Sequence, residues 1–105
     1  MTLDSTSKAT KHDQGKPPIG MINRVALEEE AKVLAFGAQK YGTRDNWKGG
    51  MEHTRLIDAA LRHIIAYADG EELDPESGIS HLAHARAGLG FLLYYKKHGI
   101  GESDE

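Results

Sequence analysis

Arg62-His63, then Glu71, Glu72, Asp74 and Glu76, then Ser77, His81 and His84 put carboxylates, imidazoles, a hydroxyl and a guanidinium within a short stretch. Carboxylates and imidazoles are the ligands a hard or borderline divalent cation takes from a protein without thiolates. A guanidinium grips phosphate oxygens through its fork of donors. Together they make the inventory of a metal-dependent phosphate-processing site.

Each of these residues also has an ordinary structural use. Asp58 and Arg62 stand four apart, a helical spacing that supports an ion pair, in which Asp58 either satisfies Arg62 or holds it for a phosphate. His63 shares a helix face with Leu56, Ala59, Ala60 and Tyr67, where a histidine is commonly a hydrogen-bonded core residue. His81 and His84, three apart, point toward one site. Asp74-Pro75 starts a turn, Ser77 is placed to cap the following helix, and Glu76 can bond nearby amides.

The elements that must position these groups are helical. Leu27, Ala31, Leu34, Ala38 and Tyr41 recur at intervals of three and four, which predicts a first helix over about 23–41 with one buried stripe. Asn23 is a cap and Gly42 a left-handed terminator. A second helix, about 52–69, is apolar almost all round from Leu56 to Ala68 and is expected to be buried on most sides. A third, about 79–97, carries Leu82, Ala85, Leu89, Phe91 and Leu92 inward, with Gly88 and Gly90 permitting close approach. Lys96, Lys97 and His98 complement its dipole. No strand-period alternation competes, so the fold class is all-α, a small bundle of three main helices.

Glu28, Glu29 and Glu30 occupy early turns of the first helix, where the dipole favours acids. They diverge by about 100° each, and Glu29 or Glu30 is the one able to face a metal, with Lys40 two to three turns on. The loop Gly42 to Gly50 holds Asn46 and Trp47, the only tryptophan. That ring either plugs the open end of the bundle or offers a face on which a nucleobase stacks. A second loop, Asp13-Gln14-Gly15-Lys16-Pro17-Pro18, is either a connector or a carrier of Asp13 and Lys16 toward a site.

Composition removes several function classes. With 13 basic against 16 acidic residues among 105 and a net charge of −3, the chain has no electrostatic footprint for a nucleic acid partner. It has no cysteine, hence no disulfide or thiolate site. No segment approaches ~18 apolar residues and the N-terminus lacks signal-peptide blocks, so a soluble, cytoplasmic protein without membrane contact is expected. Residues 1–12 and 99–105 read as flexible tails around a domain over 13–98. A chain this short buries only ~60–65% of its surface alone, which points to self-association as a homodimer or homotetramer.

The run Lys11-His12-Asp13-Gln14-Gly15-Lys16-Pro17, then Phe36-Gly37-Ala38-Gln39-Lys40-Tyr41-Gly42, Asn46-Trp47, Arg62-His63, Gly70-Glu71, Asp74-Pro75-Glu76-Ser77-Gly78 and His81-Leu82-Ala83-His84-Ala85 resembles the dATP/dGTP diphosphohydrolase N-terminal domain family, found largely in bacteriophages. The likeness spans about residues 11–95. It implies a helical domain related to MazG-like nucleotide pyrophosphohydrolases, whose MazZ-type phage members hydrolyse purine deoxynucleoside triphosphates to monophosphate and pyrophosphate. In a phage-encoded protein the compartment would be the host cytoplasm.

The resemblance also implies divalent ions, Mg²⁺ or Mn²⁺, held by helix carboxylates in a paired-Glu motif and a Glu-x-x-Asp motif. Glu71-Glu72-Leu73-Asp74 has the second spacing. Ala31-Lys32-Val33 follows Glu28-Glu29-Glu30, so the first lacks its later acid. On this reading Glu29 or Glu30, Glu71 and Asp74 are metal-ligand candidates, while Lys16, Lys40 and Arg62 bind phosphates. Asn46 or Trp47 reads the purine, and His63, His81 and His84 move protons or orient carboxylates. Two other classes compete: a non-catalytic helical phage module that binds a host or phage protein, and a His/Asp metal phosphohydrolase acting on other phosphate esters.

Overall fold

The computed structural model describes residues 9–101; the outer parts of both expected tails, 1–8 and 102–105, lie outside the described residues. Three α-helices carry the fold: α1 Arg24–Tyr41, α2 His53–Ala68 and α3 His81–His98. Two short 3-10 turns, Ile19–Met21 and Asn46–Gly49, lead into α1 and α2. No strand forms among the described residues, and a single antiparallel bridge, Leu73 to Ser80, closes the loop between α2 and α3. The expected all-α bundle of three main helices is the observed architecture.

Local chemistry sets the helix ends. The Asn23 side chain accepts from the Ala26 amide at 2.7 Å, and Gly42 terminates α1 with φ +78°. The α2 end is closed by amides of Asp69, Gly70 and Glu71 reaching back to carbonyls of Ile65, Tyr67 and Ala66, with Gly70 at φ +102°. Such a left-handed terminator turns the chain sharply and satisfies the last carbonyls. It sends Glu71 straight into the loop. Ser80, not Ser77, caps α3, its hydroxyl accepting from the Leu82 amide at 3.1 Å.

Helix α3 is the spine: α1 and α2 each pack on it and not on one another. Burial follows this geometry and departs from the sequence periodicities. Leu56 and Ala60 are the buried residues of α2, whereas Ile57, Leu61, Ile64 and Ile65 are exposed. The expectation of burial on most sides fails because α3 covers one side only. On α3 the buried positions are His81, Ala83, Ala85, Ala87 and Tyr95, while Leu82 and Leu89 face outward. Small residues occupy the helix contacts because they let the backbones approach. On α1 no residue is fully buried, and Leu27 and Tyr41 at the ends of the expected stripe are exposed.

Residues 99–101 fold back on the bundle. Gly99 caps α3 at φ +64°, the Ile100 amide donates to the Tyr95 carbonyl at 3.1 Å, and a Cβ placed on Gly101 would stand 3.0 Å from the Met51 carbonyl oxygen. Tyr95 is wholly buried beneath this turn.

Candidate metal centre and nucleotide cleft

Because α1 and α2 meet only α3, a cleft remains between them. Its volume is about 290 Å³, with Phe36 and Lys40 from α1, Ala59 and His63 from α2, and His84 and Phe91 from α3 among its walls. The α1–α3 contacts run antiparallel, Glu30 reaching Arg86 and Phe36 reaching His84, and beyond them Lys40 reaches Glu76 in the loop before α3. The chain after α1 then travels back toward Phe91, where Trp47 stacks at 4.8 Å with an interplanar angle of 17°. One end of the cleft is therefore aromatic and the other is polar.

At the polar end the loop after α2 meets the start of α3. His63 Nδ1 lies 2.8 Å from His81 Nδ1, and His81 Nε2 lies 2.7 Å from Glu71 Oε1. The ring of His81, 4% exposed, is thus held on both nitrogens in a buried setting. Asp74 Oδ2 accepts from the Ser77 amide at 3.0 Å and the Ser77 hydroxyl at 3.1 Å, and Ser77 Oγ sits 2.6 Å from His84 Nε2. His84 stacks on His63 at 4.7 Å and 9°. One donor atom from each of His63, Asp74 and His81 falls within 4.8 Å of the others, a possible His/Asp metal site.

These contacts set the charge states. Burial is the largest influence on His63 and His84 and holds both below the ordinary imidazole range, with the neighbouring histidines pushing the same way. For Asp74, burial works to raise the pKa but is outweighed by hydrogen bonds from the Ser77 amide and hydroxyl and by His84 and His63, which leave it below the usual carboxylate range. Neutral imidazoles and an ionised carboxylate are the forms that ligate a cation.

The sign of the pH effect follows. Below about pH 6.5 the unfolded chain protonates histidines that the folded chain keeps neutral, so stability falls on acidification. Asp74, depressed in the fold, contributes fully above the ordinary carboxylate pKa and loses that contribution as pH falls from there through its folded pKa, below the interval in which the histidines act. The melting temperature of the metal-free protein is expected to decline steadily from pH 7.5 to 5.5 by circular dichroism. A melting temperature that climbed over that interval would contradict the network.

Among residues singled out from sequence, the structure brings His63, His81, His84, Glu71 and Asp74 together and lines the cleft with Lys40, Asn46 and Trp47. Trp47 also packs edge-on to Tyr94, and its carbonyl accepts from the Tyr95 hydroxyl. Arg62 is beside His63 in sequence but lines a neighbouring hollow with Arg55 and Asp58. The expected Asp58–Arg62 ion pair is not formed among the described residues, the two side chains sharing that open hollow instead. Glu29 pairs with Lys32 at 2.6 Å, and Glu30 with Arg86 at 2.6 Å, so both α1 acids are engaged away from the histidines. Lys16 is exposed in the turn closed by its amide and the Asp13 carbonyl.

Two features escaped the sequence reading. Glu76 forms an ion pair with Lys40 at 2.8 Å across the cleft mouth, rather than bonding amides. Ser77 sits at the centre of the Asp74–His84 network; the signal for it was the Asp-x-x-Ser spacing, which suits a side-chain turn as well as a helix cap.

The model of the family described as dATP/dGTP diphosphohydrolase, N-terminal, matches residues 6–105. The chain belongs to this family. A dATP/dGTP diphosphohydrolase of Salmonella phage PMBT28 is 45% identical over 84 residues, covering 80% of this chain and 28% of the relative. The chain spans less than a third of the length of that curated relative. No solved structure matches it. No helix among the described residues is long and apolar enough to cross a membrane.

Proposed function

We propose that the cleft binds a purine deoxynucleoside triphosphate, dATP or dGTP, and that its polar end hydrolyses it to monophosphate and pyrophosphate with a divalent cation. The observation that carries this reading is the polarity of one continuous cleft, aromatic at Trp47 and Phe91 and polar at His63, Asp74 and His84. Phe91 and His84 are seven residues apart on α3, about 10 Å of helix rise, which suits a base at one end and its phosphates at the other. The volume is at the lower end of the roughly 300–1,000 Å³ common for small-ligand sites.

The donor set fits a cation. Glu71 accepts a hydrogen bond from His81 Nε2–H, which leaves His81 Nδ1 as the lone-pair atom facing His63 and Asp74. A carboxylate behind a ligating histidine is a recurring way to fix its tautomer. Two imidazoles and one carboxylate suit Mn²⁺ or another transition-type ion better than Mg²⁺, which prefers oxygen ligands. When bound, the ion supplies neutralising charge for the phosphates and acidifies water. His63, Asp74 and His81 would hold it, Glu71 would orient His81, and Lys40 and Arg44, which line the cleft, would meet the polyphosphate. Asn46 and Trp47 face the base.

Purified protein incubated with dATP or dGTP and Mn²⁺, Mg²⁺ or chelator is expected to release monophosphate and pyrophosphate with metal alone, Mn²⁺ giving the faster rate, resolved by anion exchange. Inorganic phosphate as sole product would transfer the site to phosphomonoester chemistry. Absence of any product with every nucleotide and metal would overturn the enzyme reading.

A further inference from the structure

We propose that Ser77 is a positioning residue that passes a hydrogen bond from His84 to Asp74, so that His84 keeps its proton on Nε2 and carries its lone pair on Nδ1. The proposal rests on the nucleotide reading only for its catalytic consequence; the tautomer itself follows from local geometry.

The Ser77 hydroxyl has three polar neighbours: the Ile79 amide at 3.1 Å, Asp74 Oδ2 at 3.1 Å and His84 Nε2 at 2.6 Å. A hydroxyl has one hydrogen and two lone pairs. The Ile79 N–H can only donate, so it takes one lone pair. If the hydroxyl hydrogen pointed at His84, an oxygen lone pair would face the carboxylate oxygen without a proton between them. With the hydrogen on the Asp74 side, the second lone pair accepts from His84 Nε2–H and all three contacts are satisfied. Asp74 is further fixed by the Ser77 amide, which donates to the same Oδ2 at 3.0 Å.

The ring of His84 has little room to turn. It stacks on His63 and meets Phe36 edge-on at 6.4 Å and 88°. Its Nδ1 has no hydrogen-bond partner among the described residues, and His84 lines the cleft. The order Asp74, Ser77, His84 works like a carboxylate–histidine pair with a hydroxyl interposed, the carboxylate stabilising the imidazole in one tautomer. In the hydrolysis, water oxygen forms a bond to the α-phosphorus as its proton passes to His84 Nδ1. The bond from that phosphorus to the bridging oxygen breaks, and its electron pair departs with pyrophosphate.

The tautomer can be read directly from long-range ¹H–¹⁵N correlations of the histidine rings in labelled protein at pH 8, with and without Mg²⁺. His84 is expected to show a protonated Nε2 and an unprotonated Nδ1. Ser77→Ala is expected to give a mixture of tautomers, and Ser77→Thr to restore the single form, while backbone amides outside residues 70–85 stay unshifted. In turnover assays Ser77→Ala is expected to lower kcat by about 10–100-fold with little change in KM, a part of what general base catalysis contributes, and Ser77→Thr to recover it. A wild-type His84 protonated on Nδ1, or a Ser77→Ala variant with tautomer unchanged, would overturn the proposal. A wild type with the expected tautomer but no nucleotide turnover would uphold the relay and sink the nucleotide reading instead.

Discussion

Replacing His63 by alanine, or Asp74 by asparagine, is expected to abolish stabilisation by metal and to reduce metal-dependent turnover by more than 100-fold (order of magnitude). The argument is one of donor count. His63, Asp74 and His81 are the three groups whose donor atoms converge, and removing one leaves two ligands for an ion that a protein usually holds with three or more. An orienting partner such as Glu71 costs about 10–100-fold in affinity when removed, so loss of a direct ligand should exceed that. For the wild type, an ion at 100 times its dissociation constant adds about 2.7 kcal/mol of stability. In a domain of about 100 residues that raises the melting temperature by roughly 10–20 °C. Calorimetry with Mn²⁺ gives the comparison: the variants should melt at one temperature with or without the ion. An equal rise in wild type and both variants would remove the metal from these residues.

The second large effect concerns Tyr95, the one large side chain that is wholly buried among the described residues. Tyr95→Ala should cost about 3–5 kcal/mol, the range for deleting a buried aromatic. Domains of this size have total stabilities toward the lower part of about 5–15 kcal/mol. The melting temperature is therefore expected to fall by more than about 12 °C. The ring lies parallel to His53 at 6.2 Å and 11°, and the hydroxyl donates to the Trp47 carbonyl. Tyr95→Phe separates these contributions. It keeps the ring and should cost about 0.5–1.5 kcal/mol, the net contribution of one hydrogen bond, since the Trp47 carbonyl still accepts from the Gly50 amide. Because Trp47 lines the cleft, the same change should weaken nucleotide binding more than it slows turnover. A Tyr95→Ala protein that melted within a few degrees of wild type would refute this account of the core.

What the sequence made legible was governed by how local each interaction is. Asn23 and Gly42 marked the ends of α1 because capping is settled within a few residues. The three helices were legible from apolar recurrence, but the buried faces were not. Periodicity locates a stripe without saying which neighbour covers it, and here α3 alone serves both other helices. Glu30 illustrates the same limit in the site. Its side could be narrowed from helix geometry, yet its partner Arg86 lies 56 residues away and only packing brings them together. The acids and histidines of the α2–α3 loop could be named from sequence because the loop is short. Their division into converging donors, an orienting Glu71 and a bridging Ser77 depends on the loop closure between Leu73 and Ser80.

The three-helix arrangement has an energetic consequence for access to the cleft. With α1 and α2 each packed on α3, one side of the cleft between them is closed by the Lys40–Glu76 pair, which ties α1 to the α2–α3 loop and whose side chains are 41% and 61% exposed. A pair so open to solvent contributes at most about 1 kcal/mol, and less in salt. Parting α1 from the loop at that point therefore costs little more than thermal energy. Admission of a polyanion would even compensate the loss, since Lys40 would exchange one acidic partner for another. Opening at that pair thus asks for the rearrangement of two side chains and for no movement of α3.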